Sequence, residues 1–166
     1  MGGRSLERFK GGRPFRVRVA DLEDLAVVST HLQDAVAPVS EIAYLPDDKR
    51  FVMVVSRFRW ETASQPKATS EDGEALFERV HTAIRIENVS AVRTKGFDRS
   101  ERDKVLNLLR IAADKGLVEL LFADNCAIRL DVAGLSCHVE DIGEPWPTVF
   151  KPEHDTDDVF QEKSER

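Results

Sequence analysis

The sequence predicts an α+β fold: about nine mainly antiparallel strands in two meander halves, residues 15–95 and 105–142, forming a curved sheet or barrel-like sandwich with one main helix near residues 21–36. Three observations carry this. Runs of β-formers separated by turn residues fill both halves. One stretch alone has an apolar stripe at helical spacing. Strand runs also follow one another without intervening helices, which excludes a doubly wound parallel sheet.

In the first half, Phe15 to Val19 alternate apolar and basic side chains, as a short strand does. Asp21 then has the chemistry of a helix N-cap, and Glu23 and Asp24 put negative charge where the helix dipole favours it. Leu22, Leu25, Val28, Ser29, Leu32, Ala35 and Val36 share one side at helical spacing, so the helix is expected to run to about residue 36, before Pro38 bars it. Residues 41–45 and 51–60 read as a hairpin turned at Pro46-Asp47-Asp48-Lys49. Residues 61–74 read as a flexible loop, and strands resume at 79–86 and 89–95 around a turn at Glu87-Asn88.

Several of these stretches resemble a known family. Asp21-Leu-Glu-Asp-Leu-Ala-Val-Val-Ser, His31-Leu-Gln-Asp-Ala-Val36, Ile42-Ala-Tyr-Leu-Pro46, Arg57-Phe-Arg-Trp60 and Arg79-Val-His81 are similar to an alphaproteobacterial family described only as a domain of unknown function, with a resemblance spanning residues 15–154. The resemblance implies a bacterial cytosolic protein and brings no activity, cofactor or site residue with it.

The second half reads as a four-stranded meander punctuated by Asp114-Lys115-Gly116, Asp124-Asn125 and Ala133-Gly134. Closing its hairpins at Ala112 opposite Leu117, Ala123 opposite Cys126 and Val132 opposite Leu135 assigns a core face by alternation. That face runs through Leu106, Leu108, Arg110 and Ala112, then Leu117, Glu119 and Leu121, then Cys126, Ile128 and Leu130, and ends in Cys137 and Val139. Arg110 and Glu119 fall opposite each other in this register, as a cross-strand pair. The other face is apolar only in its first two strands, so half of it needs a cover, and the helix is the first candidate.

Cys126 and Cys137 come out about 13 Å apart in that register, at about 3.3 Å per residue, too far for a disulfide. His31, His81, His138 and His154 show no zinc spacing with them, and neither metal nor cofactor is expected.

At 166 residues, 42% apolar and 33% charged, the chain suits one α+β domain, expected at 14–150. The net charge of −6 is unevenly placed. Arg4, Arg8, Lys10 and Arg13 against Glu7 give residues 1–13 a charge of +3, expected as a flexible basic tail. Residues 151–166 carry −3 and are expected as a flexible acidic tail. The acidic body between them argues against general nucleic-acid binding. No apolar run reaches membrane-spanning length and the start has no apolar signal region, so a cytoplasmic protein is expected.

No Gly-rich phosphate loop and no Ser or Cys nucleophile with a spaced base is present. The function expected is a non-catalytic binding or adaptor module for a protein or anionic ligand. The alternative is a small enzyme whose site is assembled from distant residues such as His31, His81, Glu119 or His138. If strands 51–60 and 79–86 pair, Arg57, Arg59, Arg79, His81 and Arg85 share an outer face near Trp60, and guanidinium forks suit carboxylate or phosphate. Trp146, held between Pro145 and Pro147, is either an aromatic lip on a ligand site or a cap on the core.

Overall fold

A computed structural model describes residues 14–64 and 68–152. The expected basic tail, residues 1–13, and all but the first two residues of the expected acidic tail, 153–166, lie outside the described residues, as does the middle of the expected loop, 65–67. The elements are β1 (Arg16–Val19), α1 (Leu22–His31), β2 (Ala35–Pro38), β3 (Ile42–Leu45), β4 (Arg50–Phe58), β5 (Ala68–Thr69), β6 (Ala75–Ile86), β7 (Val89–Lys95), β8 (Val105–Asp114), β9 (Leu117–Phe122), β10 (Cys126–Val132) and β11 (Cys137–Thr148). They make the expected α+β architecture as one curved, unclosed sheet in the order β1-β11-β6-β4-β2-β8-β9-β10-β7, with β3 added to β4 and β5 to β6. The pairings are antiparallel throughout.

Asp21 caps α1: its carboxylate accepts the Asp24 N–H at 2.8 Å. Leu25, Val28 and Leu32 are buried, in one core with Ile111, Val118, Leu120 and Phe122. The Ser29 hydroxyl accepts the Ile111 N–H at 2.9 Å, so the helix is pinned to β8 and covers the half-sheet that needed covering. It ends at His31, short of the expected residue 36. Asp34 takes φ 62 and donates its N–H to Leu108 O at 2.7 Å, and Ala35–Pro38 then runs extended between β4 and β8. Ala35 and Ala37 are buried while Val36 and Pro38 are partly exposed. A short apolar run of this kind satisfies either period, and tertiary pairing with two strands decides for the extended one.

The meander has three strands where four were expected. β10 pairs with β9 and β7, and β11 pairs with β6 and β1. The free edge of β10 is taken by β7, so the 133–136 connection leads away. It is tied to the β6–β7 turn, with Ala133 N–H on Asn88 O at 3.0 Å and Glu87 N–H on Ser136 O at 2.9 Å. These two connections bind each other where the chain passes from one half of the sheet to the other.

The register also differs. Asp114 stands opposite Leu117, and Ala112 opposite Glu119, with a bulge between Leu108 and Arg110. A bulge inserts one residue and reverses the facing beyond it. Leu106 and Leu108 therefore face the core, Arg110 is exposed opposite Leu121, and Ile111 returns to the core. On β9 the buried residues are Val118, Leu120 and Phe122, not Leu117, Glu119 and Leu121. Glu119 meets Arg129 at 3.4 Å instead of Arg110. The second hairpin closes at Phe122 opposite Cys126, one residue back from the expected pair, with Asp124 and Asn125 at positive φ. Core residues on β10 and β11 are as expected: Cys126, Ile128, Leu130, Cys137 and Val139 are buried, and both thiols are free.

Candidate functional site

Alternation along β4 turns Phe51, Met53 and Val55 inward, and Arg57 follows them. Arg57 is 0% exposed. Its Nε and Nη2 donate to Asp141 Oδ1 and Oδ2 at 2.8 and 2.7 Å, its Nη1 and Nη2 donate to Glu61 at 3.0 and 2.8 Å, and Nη1 reaches Phe58 O at 3.4 Å. Asp141 further accepts from the Thr82 hydroxyl and the Phe15 N–H, each at 2.8 Å. Burial opposes the guanidinium charge, but the bonds to Asp141 and then Glu61 outweigh it and hold the pKa above its ordinary value. Burial likewise opposes the Glu61 carboxylate, and Arg57 outweighs it, holding that carboxyl below its usual range. Every N–H of the fork is used, so this cluster clasps β4, β6, β11 and the start of β1.

The single outward arginine patch expected of Arg57, Arg59, Arg79 and Arg85 is therefore not formed. Arg59 is 1% exposed and pairs with Glu78 at 2.6 Å. Arg79 is buried and donates to the Ser56 hydroxyl and carbonyl, both at 2.9 Å. Trp60 stands edge-on to Phe58 at 4.7 Å and donates to Gln33 O at 3.1 Å. The physical reason is that counter-charges far away or just beyond the strand, Asp141 and Glu61 for Arg57 and Glu78 for Arg59, stabilise two buried arginines, while Arg79, on the face of His81, is covered and held by Ser56. Of the expected group, His81 and Arg85 remain exposed.

Both stand on the outer face of the five-strand half, which the registers lay out row by row. One row is Arg18, His138, Arg85, Val52 and Ala43 across β1, β11, β6, β4 and β3. The next is Arg16, Glu140, Ala83 and Val54. A third is Ile142, His81, Ser56, Val36 and Asn107. The face is concave: a cavity of about 530 Å³ is lined by Arg16, Arg18, Val52, Val54, Arg85 and His138 among others. A second of about 420 Å³ continues it past Val54 to Ser56, His81, Pro38 and Ile142. Its floor is apolar and its rim is charged. Arg16 meets Glu140 only at 3.9 Å, Glu87 is shared by Arg50 at 2.8 Å and Arg85 at 3.0 Å, and Arg18 has no partner among the described residues.

The residues of the enzyme alternative do not converge. His31 lies on α1, stacked on Phe15 at 4.4 Å, and Glu119 lies on β9 in the other half. His81 and His138 share the outer face but sit opposite Ile142 and Arg85, four residues apart along β11, or about 13 Å at about 3.3 Å per residue. Trp146 continues β11 opposite Arg79 and tilts against His81 at 4.6 Å, at the edge of the same face. The other half has a smaller cavity of about 340 Å³, where Arg93 and Arg129 are matched to Asp131 and Glu119. Sequence reasoning missed Arg18 and His138 as neighbours of Arg85. The alternation of Arg16 and Arg18 was the available signal, but the strands beside them were not.

No group of three or more His, Cys, Asp or Glu among the described residues could hold a metal ion, and no helix there is long and apolar enough to cross a membrane. A family model described as a protein of unknown function matches residues 15–154. No curated protein and no solved structure matches the chain.

Proposed function

The chain belongs to the DUF2948 family of proteins of unknown function, and from that premise we propose that it is a bacterial, cytoplasmic, non-catalytic binding module that docks an acidic protein segment on the outer face of β1, β11, β6 and β4. The single observation that carries this reading is the composition of the concave face. An apolar floor of Val52, Val54 and Ala83 is bordered by three cations, Arg16, Arg18 and Arg85, and two carboxylates, Glu41 and Glu140; Glu140 lies 3.9 Å from Arg16, and Arg18 has no partner among the described residues. An apolar side chain of the partner would fill the floor while its carboxylates meet the guanidinium groups. Arg18, the rim cation with no carboxylate partner among the described residues, favours an acidic occupant at its end of the cavity, and the net charge of −6 on the whole chain repels the same segment elsewhere. The free thiols Cys126 and Cys137 suit a reducing compartment.

Fluorescence anisotropy with a labelled peptide of Asp and Glu residues around one Phe tests this. Binding should be saturable, should weaken with salt, and should be lost in the Arg18→Glu, Arg85→Glu double variant. Stability should change by only about 0.5 kcal/mol, as exposed substitutions do. Equal binding by that variant, or by a peptide with Lys in place of its acids, refutes the reading.

A further inference from the structure

We propose that Arg18, His138 and Arg85 form a three-point cradle for a carboxylate of the docked segment, and that this cradle anchors the docking. This rests on the binding reading above and adds where the anion sits and what else its arrival changes.

The three residues occupy one row across β1, β11 and β6, with His138 in the middle. Arg18 and Arg85 are thus two strand spacings apart, about 10 Å at about 4.8 Å per strand, close enough for two long side chains to converge over the ring between them. Arg18 has no partner among the described residues, and Arg85 is ion-paired through its Nε, 3.0 Å from Glu87 Oε1, with no hydrogen bond from its two terminal nitrogens among the described residues. A neutral imidazole offers one N–H donor. The cradle thus offers donors from three neighbouring strands in one row, and the partly exposed Val52 stands beside it in the row to receive the partner's apolar neighbour.

The groups facing His138 set its behaviour. From β1 come Arg18 and, one row away, Arg16; from β6 comes Arg85, with Glu87 just beyond; from its own strand comes Glu140, paired with Arg16; β4 contributes Val52 and, beyond Glu87 and paired with it, Arg50; Glu41 lines the same cavity. Desolvation, then Arg85, then Arg18 push the His138 pKa down, and Glu87 opposes them weakly. A bound carboxylate offsets the two arginine fields and restores the charged form. Binding therefore takes up a proton in the pH window between the free and bound pKa values, and affinity rises as pH falls through that window.

The experiment follows the His138 ring by NMR through a pH titration, with and without the acidic peptide at saturation. The expected result is a higher His138 pKa with peptide bound. Anisotropy should show affinity rising several-fold from about pH 7.5 to about pH 5.5, a rise absent in His138→Gln. Arg18→Gln should weaken binding about tenfold, the loss of one charge-assisted contact, and should raise the His138 pKa of the free protein. If the peptide shifts Val54 and Ala83 resonances while the His138 pKa stays put, or if His138→Gln keeps the pH dependence, the cradle is wrong and docking stands. If the peptide does not bind at all, both readings fail.

Discussion

Arg57 and Asp141, 84 residues apart in sequence, meet in the interior through two parallel hydrogen bonds of 2.8 and 2.7 Å. Asp141 also holds the Phe15 N–H and the Thr82 hydroxyl, so one carboxylate joins β11 to β6, β4 and the chain entering β1.

Asp141→Ala should therefore destabilise the protein by about 3–5 kcal/mol, because it leaves a buried guanidinium half-compensated. The double variant Arg57→Met, Asp141→Leu should cost far less than the two single changes added together, since it removes both charges at once. Urea unfolding of the four proteins in the cycle measures this. Additive losses would mean that the pair is not coupled.

Acid should weaken the same clasp. The Glu61 carboxyl is held below its usual range, so the unfolded state binds its proton more readily. The stability it contributes is fully present above the unfolded value of 4.5 and is lost as pH falls through the lower folded pKa. Glu61→Gln should flatten the acid limb of a plot of Tm against pH below that value. An unchanged limb would assign the acid sensitivity elsewhere.

Gly96 should tolerate no side chain. It takes φ +82, and a Cβ there would stand 2.8 Å from Asn125 O and 3.0 Å from Cys126 Sγ. Gly96→Ala should cost about 1–3 kcal/mol, as forced overpacking does, whereas Gly134→Ala meets nothing within 4 Å and should be near neutral. Denaturant midpoints of the two variants make the comparison.

Cys137 is 1% exposed, and burial pushes its thiol up to about 12. Cys126 is 4% exposed and lies against Gly96 O at 3.6 Å. Neither should react with a thiol reagent faster than the protein opens, so modification of both should accelerate together with denaturant. Rapid native labelling of Cys137 would contradict its placement between β6 and β1.

Much of this architecture is local, and the local part was legible. Asp21 as a cap, the turn at Pro46 to Lys49, and the core alternation of β10 depend on neighbours in sequence. What failed depends on partners at a distance. The parity of Arg57 was readable, but its inward direction requires Asp141, and nothing near Arg57 announces that carboxylate. The bulge at Leu108 to Arg110 carries no Gly or Pro to mark it, and it moved Arg110 out and brought Ile111 in. The loss of the β10–β11 hairpin follows from β7 claiming the edge of β10. The outer-face row of Arg18, His138 and Arg85 was hidden for the same reason: its members come from three strands whose order depends on that edge.

Docking on the outer face is tested by a map of amide shifts in the protein as the acidic peptide is added. Docking on the outer face predicts saturable shifts at Val52, Val54, Ala83, Arg85 and His138, with little change at Leu121, Ala127 and Arg129 on the other half. Shifts concentrated on β9 and β10, or none at saturating peptide, would contradict it.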